Sequence, residues 1–267
     1  MSPDTFSPSP LAAVTTAFGV DIGGSGIKGA PVDLATGQFA AERVRIPTPQ
    51  PATPAAVAQT VKELLETFEV PETMPVGVTF PAVVHHGVAR SAANVDDTWI
   101  GTNIEDVLGQ SLGRGIHAVN DADAAGYAEV RYGAAAGTRG VVLVVTLGTG
   151  IGTTLIADGR LVPNFELGHL EIDGVDAETR AAESARERED LSWEEWALRL
   201  QRYFGVLEDL LWPDLIVVGG GVSKHADKFL PLLHLRAPIV PARLLNAAGI
   251  VGAAALAARA AQKAWTA

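Results

Sequence analysis

Two short glycine-rich segments have the composition of loops that bind phosphate. Residues 21–28 read Asp-Ile-Gly-Gly-Ser-Gly-Ile-Lys, and residues 146–152 read Thr-Leu-Gly-Thr-Gly-Ile-Gly. Glycine lets backbone N–H groups approach a phosphate without obstruction, and the Ser, Thr and Lys side chains add hydrogen bonds and charge. We therefore predict phosphate ligands in both segments, namely Asp21, Gly23, Gly24, Ser25, Lys28, Thr146, Gly148, Thr149 and Gly150.

The spacing of these segments differs from that of two common nucleotide loops. Neither segment contains the Gly-Lys-Ser/Thr that opens a helix in a Walker A loop. The first segment leads into a strand-like run, whereas a Rossmann fingerprint leads into a helix. A tight hairpin whose glycines only supply positive φ is the alternative, and the company of Asp21, Ser25 and Lys28 favours a phosphate loop. Asp21 could hold a hydrated Mg²⁺ through water, and we expect no direct protein cage for a metal.

A third glycine-rich segment follows a short apolar run at residues 215–218. We interpret Gly219, Gly220 and Gly221 as space for an adenosine, and Ser223 as the N-cap of a following helix. A helix cap that binds no ligand is the alternative for this segment.

The elements that must position these residues repeat along the chain. Apolar runs on both sides of each phosphate loop predict a strand–turn–strand unit near the start of each half. Helical periodicity is clear at residues 55–68, 193–211 and 245–261. We expect an N-terminal α/β lobe at residues 15–120, a larger lobe at 121–244, and a final helix at about 245–264 that packs back on the first lobe.

Taken together and in their order, these motifs resemble the ROK family of sugar kinases, and within it the polyphosphate glucokinases. The resemblance is carried by residues 21–29, 120–122, 147–152, 166–169 and 219–223. It implies an α/β fold of the two-lobed, actin-like ATPase type (ribonuclease H-like), with a cleft between the lobes. It also implies phosphoryl transfer from inorganic polyphosphate or ATP, with Mg²⁺, to the 6-hydroxyl of glucose, with mannose as a further acceptor.

The resemblance makes Asp121 the general base and makes Asn94, Asn120, Glu166 and His169 contacts of the sugar hydroxyls. A carboxylate within hydrogen-bond reach of an alcohol can accept its proton as the alcohol attacks. Amide, carboxylate and imidazole groups together match the donors and acceptors of a sugar. The alternative is that Asp121 only caps a helix, since Asp is common at such positions.

The chain departs from the family at a zinc site. Many ROK proteins join a histidine to a cysteine cluster there, but this chain contains no cysteine. We therefore expect no zinc. The charged segment at residues 172–190 replaces the cluster, and Glu178 and Glu187 are candidates for a second sugar-binding acid.

Polyphosphate needs a track of positive charge rather than a pocket for a base. The candidates for that track are Lys28, Arg180, Arg186, Arg188, Arg199, Arg202 and Lys224. The alternative is that these are solvated charges paired with neighbouring acids. Two other functions stay open: a strictly ATP-dependent ROK kinase for glucose, fructose or an N-acetylhexosamine, and a sugar-sensing regulator. A regulator needs a helix-turn-helix module, and only about 17 residues precede the first loop.

Composition narrows the remaining classes. The net charge of −11 disfavours nucleic-acid binding, and no apolar run is long enough to cross a membrane. The absence of cysteine and of a signal peptide suits the cytoplasm. Trp193, Trp196 and Phe204 either line a homodimer face or belong to the core.

Overall fold

The computed structural model describes residues 14–93 and 95–266, with side chains as far as Gln262. The strands of the N-terminal half are β1 Thr16–Gly23, β2 Gly26–Asp33, β3 Val44–Ile46, β4 Val76–Phe80, β5 Val84–His85, β6 Val88–Ala89 and β7 Ile116–Asn120. Those of the C-terminal half are β8 Val141–Leu147, β9 Ile151–Ala157, β10 Arg160–Val162, β11 Glu171–Ile172, β12 Val175–Asp176, β13 Leu215–Gly219 and β14 Ile239–Pro241.

Eight α-helices accompany these strands in the described part of the chain. They are α1 Pro54–Thr67, α2 Ile104–Leu112, α3 Asp121–Tyr132, α4 Glu178–Ala181, α5 Glu183–Arg188, α6 Trp193–Leu211, α7 Ala226–Phe229 and α8 Ala248–Thr266. Helix α6 begins with a capping box, because Ser192 accepts from the Glu195 N–H while Glu195 accepts from the Ser192 N–H. None of the described helices is long and apolar enough to cross a membrane.

The two large sheets have the same strand order. The first runs β3-β2-β1-β4-β7 and the second β10-β9-β8-β13-β14. In each sheet the central strand, β1 or β8, pairs antiparallel with the strand that follows it in the chain, β2 or β9. On its other side it pairs parallel with β4 or β13. Strand β13 is buried along its whole length, as expected for a central parallel strand covered on both faces. The structure therefore contains one α/β arrangement twice, which agrees with the repeated unit in the sequence.

Helix α8 packs closely against the N-terminal sheet at two glycines. A Cβ on Gly19 would lie 2.0 Å from the carbonyl oxygen of Ile250, and one on Gly77 would lie 2.0 Å from that of Ala253. Only glycine allows the helix backbone to come this near the strands. This contact brings the first turn of α8, at Gly249, next to the carboxylate of Asp21. The division into lobes at residues 15–120 and 121–244 stays a prediction.

Candidate active site

Two neighbouring cavities meet between the sheets. The larger, of about 630 Å³, is lined by residues that include Asn120, Asp121, Thr146, Gly148, Thr149, Gly150, Glu166, His169, Glu178 and Gly220. The smaller, of about 340 Å³, adds Asp21, Lys28 and Gly219, and it shares Asp121, Thr146 and Gly220 with the first. Asp121 therefore lies where the two cavities join.

The end of strand β7 places Asp121 without using it as a helix cap. Asn120 is the N-cap of α3, and its Oδ1 accepts from the Asp123 N–H at 3.0 Å. The Nδ2 of Asn120 donates to the Ala82 carbonyl at 2.9 Å. Because Asn120 performs the capping, the interpretation of Asp121 as a mere cap loses its basis. Asn120 itself is committed to backbone partners, so its predicted contact with sugar stays a prediction.

The carboxylate of Asp121 is held at one oxygen and open at the other. Its Oδ1 accepts from the Ala122 N–H at 2.8 Å. Burial among cavity walls raises the pKa of Asp121 to about 6, an effect opposed by the Ala122 N–H and assisted by the charges of Asp21 and Glu166. The residue remains open to solvent through the cavity. A carboxyl tuned in this direction suits proton acceptance near neutral pH.

Asp21 and Lys28 face each other across the β1–β2 hairpin. Lys28 Nζ lies 3.1 Å from Asp21 Oδ2, and Thr79 Oγ1 donates to Asp21 Oδ1 at 2.9 Å. Asp21 and Asp121 line the same cavity, and the charge of Asp21 raises the pKa of Asp121. Two carboxylates facing one water-accessible space are the hard oxygen ligands that Mg²⁺ takes, so these residues fit that ion.

The tip of the first loop is tied to its own lobe. Side chains of Arg45, Thr48 and Gln50 donate to the carbonyl groups of Ser25, Gly23 and Gly24, respectively. These three loop residues are not among those that line either cavity. Their predicted contacts with phosphate stay predictions.

The second loop is supported from beneath by α4 and α5. Ser184 donates from its N–H to the Gly148 carbonyl at 3.0 Å and from Oγ to the Thr149 carbonyl at 2.6 Å. Glu178 Oε2 accepts from the Ile151 N–H at 3.0 Å. All four predicted residues of this loop line the larger cavity. The supporting role of Ser184 could not be predicted from its residue type or spacing.

The third segment is brought to the cavities only in part. Gly219 and Gly220 line them, whereas Gly221 and Ser223 are not among the lining residues. Gly220 has φ 85° and packs so tightly on Leu147 that a Cβ would lie 2.1 Å from its carbonyl oxygen. The prediction that Ser223 is an N-cap is wrong, because its Oγ donates to the Gly220 carbonyl at 2.8 Å inside a 3₁₀ turn.

Glu166, His169 and Glu178 also line the larger cavity, and Glu178 lies against the second loop. The Nδ1 of His169 lies 2.9 Å from Asp176 Oδ2 and 4.0 Å from Glu178 Oε1. The hydrogen bond with Asp176 is the main cause that raises the pKa of His169. Burial, assisted by the charge of Glu178, raises the pKa of Glu166, and the charge of His169 opposes that rise. Of the two acids proposed as a second sugar ligand, Glu178 lines the cavity and Glu187 does not.

His169, Asp176 and Glu178 also form the one group of three metal-ligating side chains found among the described residues, within 4.8 Å of one another. The Asp176 carboxylate already accepts from His169 and from the Glu178 N–H. The Glu178 carboxylate already accepts from the Ile151 N–H. We interpret the group as a hydrogen-bonded network that joins the histidine to the second phosphate loop. The expectation of no zinc stays a prediction.

A link between the halves of the chain lies close to Glu166 in sequence and was not foreseen. Asn164, at φ 61°, exchanges two side-chain hydrogen bonds of 3.0 and 2.9 Å with the backbone of Val84. Its N–H donates to Asp123 Oδ2 at 2.8 Å. Asp123 is 1% exposed, and its burial raises its pKa to about 7. The segment that carries Glu166 is thus fixed two residues before that acid. Asn94 lies outside the described residues.

Several of the predicted basic residues are paired with acids. Lys28 pairs with Asp21, Arg188 and Arg199 both pair with Glu189, and Arg202 pairs with Asp173. For these four residues the alternative interpretation, of charges balanced by neighbours, describes the structure. Trp196 and Phe204 are fully buried and belong to the core of the C-terminal half.

Comparison with known proteins agrees with this geometry. The ROK family model matches residues 17–179. The chain is 53% identical over 238 residues to the polyphosphate glucokinase of Mycobacterium tuberculosis, covering 89% of each. It is 49% identical over 257 residues to that of Mycobacterium leprae, covering 95% of this chain and 79% of the relative.

Among solved structures, the inorganic polyphosphate/ATP-glucomannokinase of Arthrobacter sp. strain KM superposes with a TM-score of 0.84. It is 56% identical and the match covers 92% of this chain and 99% of that one. The chain belongs to the ROK family and has its two-lobed, actin-like ATPase fold. The resemblance and the fold class predicted from the sequence are confirmed.

Proposed function

We propose that this protein is a glucokinase that transfers a phosphoryl group from inorganic polyphosphate to the 6-hydroxyl of glucose, with ATP as a second donor. The observation that carries the proposal is the position of Asp121 at the junction of the two cavities. The hairpin of Gly148 to Gly150 lines the larger cavity together with Glu166 and His169. The names of relatives about half identical to this chain support the donor and the sugar.

Asp121 acts as the general base in this proposal. The glucose hydroxyl donates to the carboxylate, and its proton moves there as its oxygen attacks the terminal phosphorus of the donor. The phosphoanhydride bond to that phosphorus breaks, and its electron pair leaves with the shortened polyphosphate or with ADP. Phosphoryl transfer depends mainly on positioning and on neutralising charge, so the remaining residues bind and orient. Thr146, Gly148, Thr149, Gly150, Gly219 and Gly220 hold the donor phosphates, and Lys28 supplies a positive charge beside them.

Mg²⁺ bound with the donor would neutralise charge on the phosphate oxygens. Asp21 would hold it through water, with Lys28 and Thr79 fixing the carboxylate in the orientation already described. The role of Asp121 in accepting the proton does not depend on contact with the ion.

Glu166, His169 and Glu178 bind the sugar hydroxyls within the larger cavity. Asn120 contributes mainly by setting the start of α3, and Asn94 joins the sugar contacts on the strength of the family resemblance. Mannose is a further acceptor, which the name of the Arthrobacter relative supports. We also infer a cytoplasmic location, consistent with a chain that has no cysteine.

The test is a measurement of hexose 6-phosphate formation with glucose, mannose and fructose crossed against polyphosphate and ATP. The proposal expects glucose 6-phosphate with both donors and a dependence on added Mg²⁺. Product with ATP but none with polyphosphate would establish the strictly ATP-dependent alternative. Sugar binding without product from either donor would contradict the proposed activity altogether.

A further inference from the structure

A group of cations around Trp193 is built differently from the paired arginines described above. The guanidinium of Arg186 lies 3.8 Å from the centre of the Trp193 ring, and Lys228 Nζ lies 5.4 Å from it. The ring of His225 is 5.7 Å away. One indole therefore gathers cations from two elements, α5 and the segment that runs from Gly221 into α7. We call Arg186, Lys224 and Lys228 the tryptophan cluster.

The cations of the tryptophan cluster form no ion pair with a carboxylate of the described chain. Within the described chain, none of the three lies within 4.0 Å of a carboxylate in an ion pair, in contrast to Arg188, Arg199 and Arg202. The Nε of Arg186 is buried without a hydrogen-bond partner. The side chain as a whole is only half-buried, so its unpaired charge stays within reach of an anion from solution.

One acid, Glu183, lies near the cations of the tryptophan cluster. Burial and the neighbouring charge of Glu187 raise the pKa of Glu183, while Lys224, Arg186 and His225 act on it in the opposite direction. The charges of Lys224 and Arg186 thus lie close enough to Glu183 to influence it, and Lys228 adds a third beside the same indole.

The tryptophan cluster is tied directly to the donor loops. Helix α5 holds the second phosphate loop through Ser184, two residues before Arg186. Lys224 follows Gly220, which lines both cavities, by four residues in a single 3₁₀ turn. A Cβ on Gly221 would lie 3.6 Å from Glu183, so the turn and α5 are in contact. The cluster therefore continues the donor side of the cleft over the outside of the C-terminal lobe.

We infer that the tryptophan cluster is a subsite for the tail of a long polyphosphate, beyond the phosphates held at the transfer site. This inference rests on the proposed function, because it assigns a path to its donor. A linear polyanion presents charge at every unit and requires no base pocket, which suits cations spread over two elements. A nucleoside triphosphate has no such tail to place there.

The experiment measures KM for long-chain polyphosphate (tens of phosphates) and for tripolyphosphate. The variant combines Arg186→Gln, Lys224→Gln and Lys228→Gln, which keep much of the side-chain volume over Trp193. We expect the ratio of the two KM values to shift about tenfold against the long chain, a size typical of several partly exposed charges. Arg202→Gln is the matched control, since it removes an arginine already paired with Asp173.

Direct binding of long polyphosphate, measured calorimetrically at two salt concentrations, gives an independent readout. Binding to the wild type should weaken with salt more steeply than binding to the triple variant. Equal ratios of KM in wild type and variant, or an equal change in Arg202→Gln, would overturn the subsite. Absence of glucose 6-phosphate from the wild type with every polyphosphate would instead contradict the proposed donor, and lack of calorimetric binding would overturn both.

Discussion

The imidazole of His169 is oriented by Asp176, whose Oδ2 lies 2.9 Å from Nδ1. This bond places the proton on Nδ1 and leaves Nε2 without a protein partner in the described chain. A histidine held by a carboxylate at one nitrogen presents a defined tautomer at the other. The ring can therefore meet a sugar hydroxyl in one orientation.

Asp176→Ala should weaken glucose binding while leaving the base in place. We expect KM for glucose to rise about tenfold at pH 7 with a smaller change in kcat, because a lost hydrogen bond of this kind is worth about one kcal/mol or slightly more. The pKa of His169 should fall, since the bond to Asp176 is the main cause of its rise. Kinetics and NMR titration of the ring check the two effects.

Asp176→Asn and Asp173→Asn are the controls for this variant. The first keeps an acceptor oxygen and should recover part of the affinity for glucose. The second removes a nearby acid that pairs with Arg202 and should change little. A fall in the pKa of His169 with no change in KM would show that Asp176 does not position the ring for sugar.

The pH profile should report Asp121. A base works only when deprotonated, so a pKa raised to about 6 predicts that kcat/KM falls below about pH 6, approaching tenfold per pH unit. An unperturbed aspartate would stay ionised to about pH 4. The measurement is kcat/KM for glucose across the acidic range at saturating donor.

Asp123 is the group that must be separated from Asp121 in that profile, since its pKa is raised to about 7. In the variant Asp123→Asn the fall of kcat/KM at acidic pH, the acidic limb of the profile, should persist. Loss of the limb in that variant would assign it to Asp123, and a flat profile down to pH 5 in the wild type would contradict the tuning of Asp121.

The link made by Asn164 should contribute to stability and to the sugar site together. Asn164→Gly removes two side-chain bonds to Val84 but tolerates the positive φ, so we expect the free energy of unfolding to fall by about 1–3 kcal/mol. Asn164→Ala adds backbone strain and should cost roughly 1 kcal/mol more. Denaturant unfolding checks the order.

KM for glucose should also rise in both Asn164 variants, because the segment leading to Glu166 loses its attachment. Equal stability of Asn164→Gly and the wild type would remove the link from this account. Loss of stability without any change in KM would leave it a structural contact alone.

Most of the fold follows from local pattern. The helix at residues 193–211 has the bounds that periodicity predicts, and the helix predicted at residues 55–68 is α1, Pro54–Thr67. The start of the last helix was predicted less accurately. Helix α8 begins at Ala248 rather than at residue 245, after a short 3₁₀ turn. Alanine-rich sequence has helical propensity throughout and marks no sharp start.

The parts of the site with an unusual local composition could be predicted from the sequence. The parts that depend on contacts between residues far apart in the chain could not. Glycine-rich loops and Asp121 follow from residue types. Ser184 and Asn164 do not, because each acts through backbone groups more than thirty residues away, and short polar side chains are common in turns. The prediction for Ser223 failed for a different, local reason: a serine after glycines favours an N-cap, but this hydroxyl donates to a carbonyl of its own turn.

The central claim is tested most directly by Asp121→Asn. We predict that the variant binds glucose with a Kd within a few-fold of the wild type, because the amide keeps the size of the side chain. Its kcat with polyphosphate should fall by about 10²–10⁴-fold, the usual contribution of a general base. A kcat near that of the wild type, with glucose still bound, would show that another group accepts the proton and would contradict this account.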